Sequence, residues 1–95
     1  MEEIRKKLEE DMADVQWNDI KPHAQRDAVI VVNEKLSCLD VGVAIAKDDQ
    51  KAVEHWITEQ LISKPSNEQL SDWNIDETQL FKTLIVQPFV LVQSV

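Results

Sequence analysis

Apolar residues at Ile4, Leu8, Met12 and Val15 recur at steps of four, four and three, and at 100° per residue they share an arc of roughly 80° on a helical wheel. This predicts an amphipathic first helix whose narrow apolar stripe lies on a surface. Glu2 with Lys6 and Glu3 with Lys7 form acid-before-base pairs one turn apart, and the early acids suit the positive end of the helix dipole. Trp17 follows, and Asn18, Asp19 and Pro22 supply turn or cap chemistry ahead of His23 and Arg26. Ala28 to Val32 is a short β-branched run. From Leu39 to Ala46 the chain alternates, with Leu39, Val41, Val43 and Ile45 on one side and Asp40, Gly42, Ala44 and Ala46 on the other. These two runs predict an antiparallel hairpin, joined by a loop over 33–38 because no glycine is present there for a tight turn. Gly42, Ala44 and Ala46 then make a small-residue strand face against which a helix, or a ligand groove, can come close.

Asp48 or Asp49 caps a second helix, in which Ala52, Val53, Trp56, Ile57, Gln60 and Leu61 mark the inward side. That helix is expected to end near Ser63, because the residue before Pro65 is pushed out of the α region. Ser66 followed by Gln69 is a capping-box pattern, and Leu70 and Trp73 give a third, short helix its apolar side. Leu80 to Val92 is almost continuously apolar and branched, which reads as a strand covered on both faces and bent or bulged at Pro88. The expected order is helix, strand, strand, helix, helix, strand. This is a single α+β domain over 1–95, with a three-stranded, mostly antiparallel sheet covered by about three helices.

Charge narrows the function classes. Ten basic residues against 18 acidic ones leave a net charge of −8, spread without a basic patch. Phosphate backbones and anionic membrane surfaces recruit clustered Lys and Arg, so direct nucleic-acid binding and membrane-surface binding are not expected. A 43% hydrophobic share alongside 29% charged residues belongs to a chain that packs a core. Thr83 to Val95 carries no charge, but Gln87, Pro88, Gln93 and Ser94 interrupt it and it falls short of the roughly 18 apolar residues a membrane helix needs. The start of the chain, Met1-Glu2-Glu3-Ile4-Arg5-Lys6-Lys7, lacks the apolar segment of a secretory signal, and the single Cys38 allows no internal disulfide. A cytoplasmic location is expected.

One glycine in the chain rules out the P-loop, the dinucleotide-binding fingerprint and the nucleophile elbow, each of which needs two or three. No cofactor is expected, and the balance of motifs leans away from an enzyme. Two small constellations remain. His55 and Glu59 sit one helical turn apart with Asp48 earlier on a similar bearing, an oxygen-and-imidazole set that could hold a metal, although such sets also arise on solvated helix faces. His23 and Arg26 combine an imidazole with a fixed guanidinium that could bind a small anion, or Arg26 could simply pair with Asp27 or a helix acid. Trp17, Trp56 and Trp73 stand at the edges of apolar stripes, where core packing is the default and a partner anchor the alternative. Cys38, with no CxxC or neighbouring histidine in sequence, reads as an inert thiol.

Several stretches together carry a resemblance: Trp17, then Ile20-Lys21-Pro22-His23-Ala24-Gln25-Arg26, Val41-Gly42-Val43-Ala44-Ile45-Ala46-Lys47-Asp48-Asp49, Trp56-Ile57, Lys64-Pro65-Ser66 and Leu84-Ile85-Val86-Gln87-Pro88-Phe89-Val90-Leu91-Val92-Gln93. The chain resembles a family of small bacterial proteins known as domain of unknown function 2288. The resemblance implies a bacterial cytoplasmic protein and brings no activity, cofactor or site residue with it. The leading expectation is therefore an interaction protein forming a homodimer or small oligomer, with Trp17, Phe89 and Leu91 at the interface. The alternative is a small-molecule binder, for an anion or a metal, or a minor enzyme, with His23, Arg26 and Asp48 rimming a pocket beside the Gly42, Ala44 and Ala46 face.

Overall fold

In a computed structural model that describes residues 2–94, the apolar run after Leu80 is two strands rather than one. Met1 and Val95, the ends of two stretches read above, lie outside the described residues, as does the side chain of Glu2 in its expected pair with Lys6. The elements in chain order are α1 (Glu2–Asp11), β1 (Ala13–Gln16), α2 (Trp17–Gln25), β2 (Val29–Val32), α3 (Cys38–Ala46), α4 (Gln50–Thr58), β3 (Ile62–Ser63), α5 (Asn67–Ile75), β4 (Leu80–Val86) and β5 (Phe89–Ser94). A cis peptide bond between Gln87 and Pro88 sits in the turn that folds β4 onto β5. The five strands form one mixed sheet in the order β1-β4-β5-β2-β3. β5 lies near its centre, antiparallel to β4 and parallel to β2, so the long uncharged stretch is apolar because both faces of its strand are covered.

The α+β class matches the sequence reading; the strand count and one hairpin do not. The segment over 39–46, expected as a strand, is the helix α3, and no hairpin joins it to β2. Its alternation is incidental. Val41, Gly42, Val43 and Ala44 are all buried, because α3 packs against α1, α4 and the sheet at once, and a helix enclosed on several sides has no polar stripe to reveal its period. Ser37 and Asp40 marked its start, with the Ser37 hydroxyl accepting from the Asp40 backbone N–H at 3.4 Å. Val15 belongs to β1 rather than to the first helix, which ends at Asp11.

Each face of the sheet carries its own core. Leu84, Val86, Leu91, Val32 and Ile62 point to one side, where Leu8 of α1 and Cys38, Val41 and Val43 of α3 cover them. Phe81, Val90, Val92 and Val29 point to the other, beneath Trp17 and Ile20 of α2 and Trp73 of α5. On that second face Trp17, Trp73 and Phe81 form a cluster with ring centroids 4.9 to 6.0 Å apart, and the Trp17 indole donates to Asn74 Oδ1 at 2.8 Å. α2 has no side-chain cap. Its first N–H groups, of Trp17 and Asn18, instead donate to the carbonyls of Gln79 and Glu77, at 2.9 and 3.0 Å.

Helix ends follow one recurring device. α2, α3 and α4 each stop at a residue with positive φ, namely Asp27 (60°), Asp48 (58°) and Gln60 (59°). In each case the N–H groups of that residue and of the next reach back to carbonyls of the last turn, as Asp48 does to Ile45 and Asp49 to Ala44. This is the Schellman arrangement with the customary glycine replaced. At Gly42, by contrast, the absence of a side chain is required. A Cβ there would lie 2.5 Å from Leu84 Cδ2 and 3.4 Å from Val86 Cγ2, so α3 rests directly on β4. The close approach expected of the small residues is therefore real at Gly42, though it is made by a helix. Ala44 is buried on another side of α3 and Ala46 is exposed.

Candidate functional site

The residues singled out from sequence do not converge. His23 and Arg26 lie at the end of α2, which covers the aromatic face, whereas Gly42 lies against the aliphatic one. The sheet separates them, so the expected shared pocket is not formed. Arg26 donates from Nη2 to His23 Nδ1, since a guanidinium has no acceptor to offer. Asp48 is the positive-φ residue that ends α3, and its neighbour Asp49 caps α4 by accepting from the Ala52 N–H at 3.2 Å. His55 and Glu59 are exposed on α4 and its C-cap, and among the described residues no group of three or more His, Cys, Asp or Glu is placed to hold a metal ion. Of the three interface residues expected, Trp17 and Leu91 are buried inside the chain's own cores and only Phe89 reaches the surface.

Cys38 is fully enclosed, and burial pushes its thiol up from 9.0 to about 11, with Lys82 opposing the shift. A thiol held protonated in this way is a poor nucleophile at neutral pH.

What the fold does build is a cavity that sequence reading missed. α4 is strongly amphipathic, yet none of its residues is buried. Val53 and Trp56 lean on the aliphatic core as partly covered side chains, while Ile57 remains 56% exposed. Between this helix, the end of α3 and the seam of β2, β3 and β5 lies a cavity of about 510 Å³. Its walls are Ile30, Ile45, Val53, Ile57, Ile62 and Phe89, and Gln60, Ser63 and Lys64 stand at its margin. Phe89 sits where β5 begins and is 36% exposed. It also borders a smaller hollow of about 230 Å³, shared with Ile45 and Val53, that runs on to Asp48, Asp49 and Glu54.

The combined groove is thus apolar along its length and differently charged at its two ends. Lys64 is the only cation lining the larger cavity, and its ammonium pairs with the exposed Asp27 carboxylate across the end of the sheet. A second trough, of about 450 Å³, runs along the other face past Ala13, Val15, Thr83 and Ile85, but it offers only Asp11 and Gln87 as polar groups beside Thr83, whose hydroxyl is already spent on the Phe81 carbonyl. The first cavity has the common make-up of a small-molecule site, with apolar walls and a few polar groups near its mouth.

Helices on both faces of a five-stranded mixed sheet define a small α+β domain. Within that class, residues 3–94 match the family described as Protein of unknown function (DUF2288), and the chain belongs to that family. Its fold is similar to the NMR solution structure of PA1075 from Pseudomonas aeruginosa, with a TM-score of 0.82 at 24% identity over 99% of this chain and 86% of that one. No curated protein matches the sequence.

Proposed function

We propose that the chain is a non-catalytic binding module whose working surface is the apolar cavity between α4 and the β2–β5 seam. The observation that carries this reading is the 510 Å³ cavity itself, walled by Ile30, Ile45, Val53, Ile57, Ile62 and Phe89. The hollow opens to solvent, with Ile57 56% and Phe89 36% exposed, so its apolar walls stay in contact with water unless a guest covers them. Among the described residues no helix is long and apolar enough to cross a membrane. With one enclosed cysteine, we place the module in the reducing environment of the cytoplasm. Nile red, an uncharged apolar dye, should show saturable fluorescence enhancement that Ile45→Trp, which fills the cavity, abolishes. Enhancement that is absent, or unchanged in the filled variant, would remove this reading.

Self-association through the same face is the second reading, and one observation favours it. Asp48, Asp49 and Glu54 border one end of the groove and Lys64 the other, so a two-fold axis across Phe89 and Ile57 would set acid against base in both halves. β5 offers no free edge to a second copy, because it lies between β4 and β2. Sedimentation velocity on the wild type and Ile57→Asp decides this reading: a dimer that dissociates in the variant supports it, and a wild-type monomer at all concentrations rejects it.

A further inference from the structure

We infer that the cavity takes an amphiphilic monocarboxylate, with its carboxylate at Lys64 and its hydrocarbon tail running past Ile45 and Val53 toward Phe89; this rests on the pocket reading above. Three features of the groove point to that chemistry. The walls are aliphatic and aromatic, so the buried part of a guest must be hydrocarbon. Lys64 is the single cation among the lining residues and lies two positions after Ile62, on the same side of the sheet, so the polar end of a guest is anionic and sits there. The far end, beyond Phe89, carries Asp48, Asp49 and Glu54, which repel an anion and so fix the direction in which the guest lies.

The Asp27 carboxylate shows that the Lys64 ammonium can hold a carboxylate at this position. It reaches Lys64 from the turn after α2, and both partners of the pair are largely exposed, with side-chain accessibilities of 69% and 62%. A pair this open to water is held weakly, so an incoming carboxylate can exchange with Asp27 at little cost. Asp27 is then a competitor built into the chain. It lowers affinity for the guest without closing the cavity.

The experiment compares octanoate with octanol by titration calorimetry on the full chain, then extends the acid series from hexanoate to decanoate below micelle-forming concentrations. Octanoate should bind more tightly than octanol, by about three- to five-fold. Affinity should rise by up to about four-fold per added methylene until the cavity is full. Lys64→Gln should remove the preference for the acid and leave octanol unchanged, while Asp27→Asn should raise octanoate affinity about two- to five-fold. If octanol and octanoate bind alike and Lys64→Gln changes neither, the carboxylate assignment falls while the pocket stands. If neither binds, the pocket reading itself falls. Octanoate binding that ignores chain length would be simple ion pairing at the surface and would also overturn the inference.

Discussion

The two faces of the sheet are finished in different ways. On the aromatic face, Trp17, Trp73 and Phe81 interlock beneath α2 and α5, and the indole that reaches the edge finds Asn74 as its acceptor. On the aliphatic face, α3 descends onto β4 until Gly42 meets Leu84, but α4 stands away from β2 and β3 and leaves a hollow with Phe89 and Ile57 at its border. Each face is closed at one end, by three rings on the first and by the descent of α3 at Gly42 on the second, and the open ends differ: strand side chains Val15, Thr83 and Ile85 border the first, the amphipathic helix α4 the second.

The comparison breaks most visibly at Trp17. Trp17→Ala should cost about 3–5 kcal/mol in urea unfolding, since it empties the centre of the ring cluster and strands the Asn74 side chain. Gly42→Val tests the closed end of the aliphatic face and should cost about 2–3 kcal/mol, because the added methyls meet the fully buried Leu84. A third test uses pH. Cys38 in the folded chain keeps its proton to about pH 11 while the unfolded thiol loses it from about 9.0, so the unfolded state binds fewer protons in that window and stability falls as pH rises through it. The loss should approach about 2 kcal/mol relative to Cys38→Ala, measured as the difference between the two proteins' alkaline unfolding curves. Smaller still, Gln60→Gly should stabilise by about 0.5 kcal/mol, the relief of a left-handed residue with a side chain less the added freedom of the unfolded glycine. Ile57→Asp, at the open end, should change the unfolding free energy by less than about 0.5 kcal/mol while weakening Nile red binding at least ten-fold.

How much of this could be read from the chain depended on whether a signal was local. Ser66 and Gln69 form the capping box their spacing announces, with reciprocal bonds of 3.1 and 2.9 Å, and Asp49 caps α4 as one of the two expected residues. The apolar stretch after Leu80 is covered on both faces, as its lack of alternation indicates, but its turn at Gln87 and Pro88 makes two strands of it. β1 escaped notice because it is four residues on an edge, with only Val15 partly covered. The helix stops escaped because Asp27, Asp48 and Gln60 occupy positions where glycine is the usual marker. The candidate site was the least legible feature. Its lining comes from β2, α3, α4, β3 and β5, and no spacing in the chain announces that Ile30, Ile45, Ile57 and Phe89 will share one hollow. Gln93 was equally silent, yet its buried amide donates to the carbonyls of Asn33 and Leu36 and pins the loop ahead of α3.

The parallel pairing of β2 with β5 has a consequence in time. β2 meets β5 and the edge strand β3, and β1 meets only β4, so the first half of the chain has no sheet of its own to form until the last hairpin exists. Gln93 binds Asn33 across sixty positions of sequence. At about 5–20 residues per second of synthesis, that interval lasts roughly 3 to 12 s. Over that interval Val29 to Val32 can pair only with the two residues of β3, Val31 with Ser63 and Val32 with Ile62. A ribosome stalled before Leu80 would therefore present an unfinished, chaperone-attracting chain, and folding would begin in earnest only as the final two strands emerge.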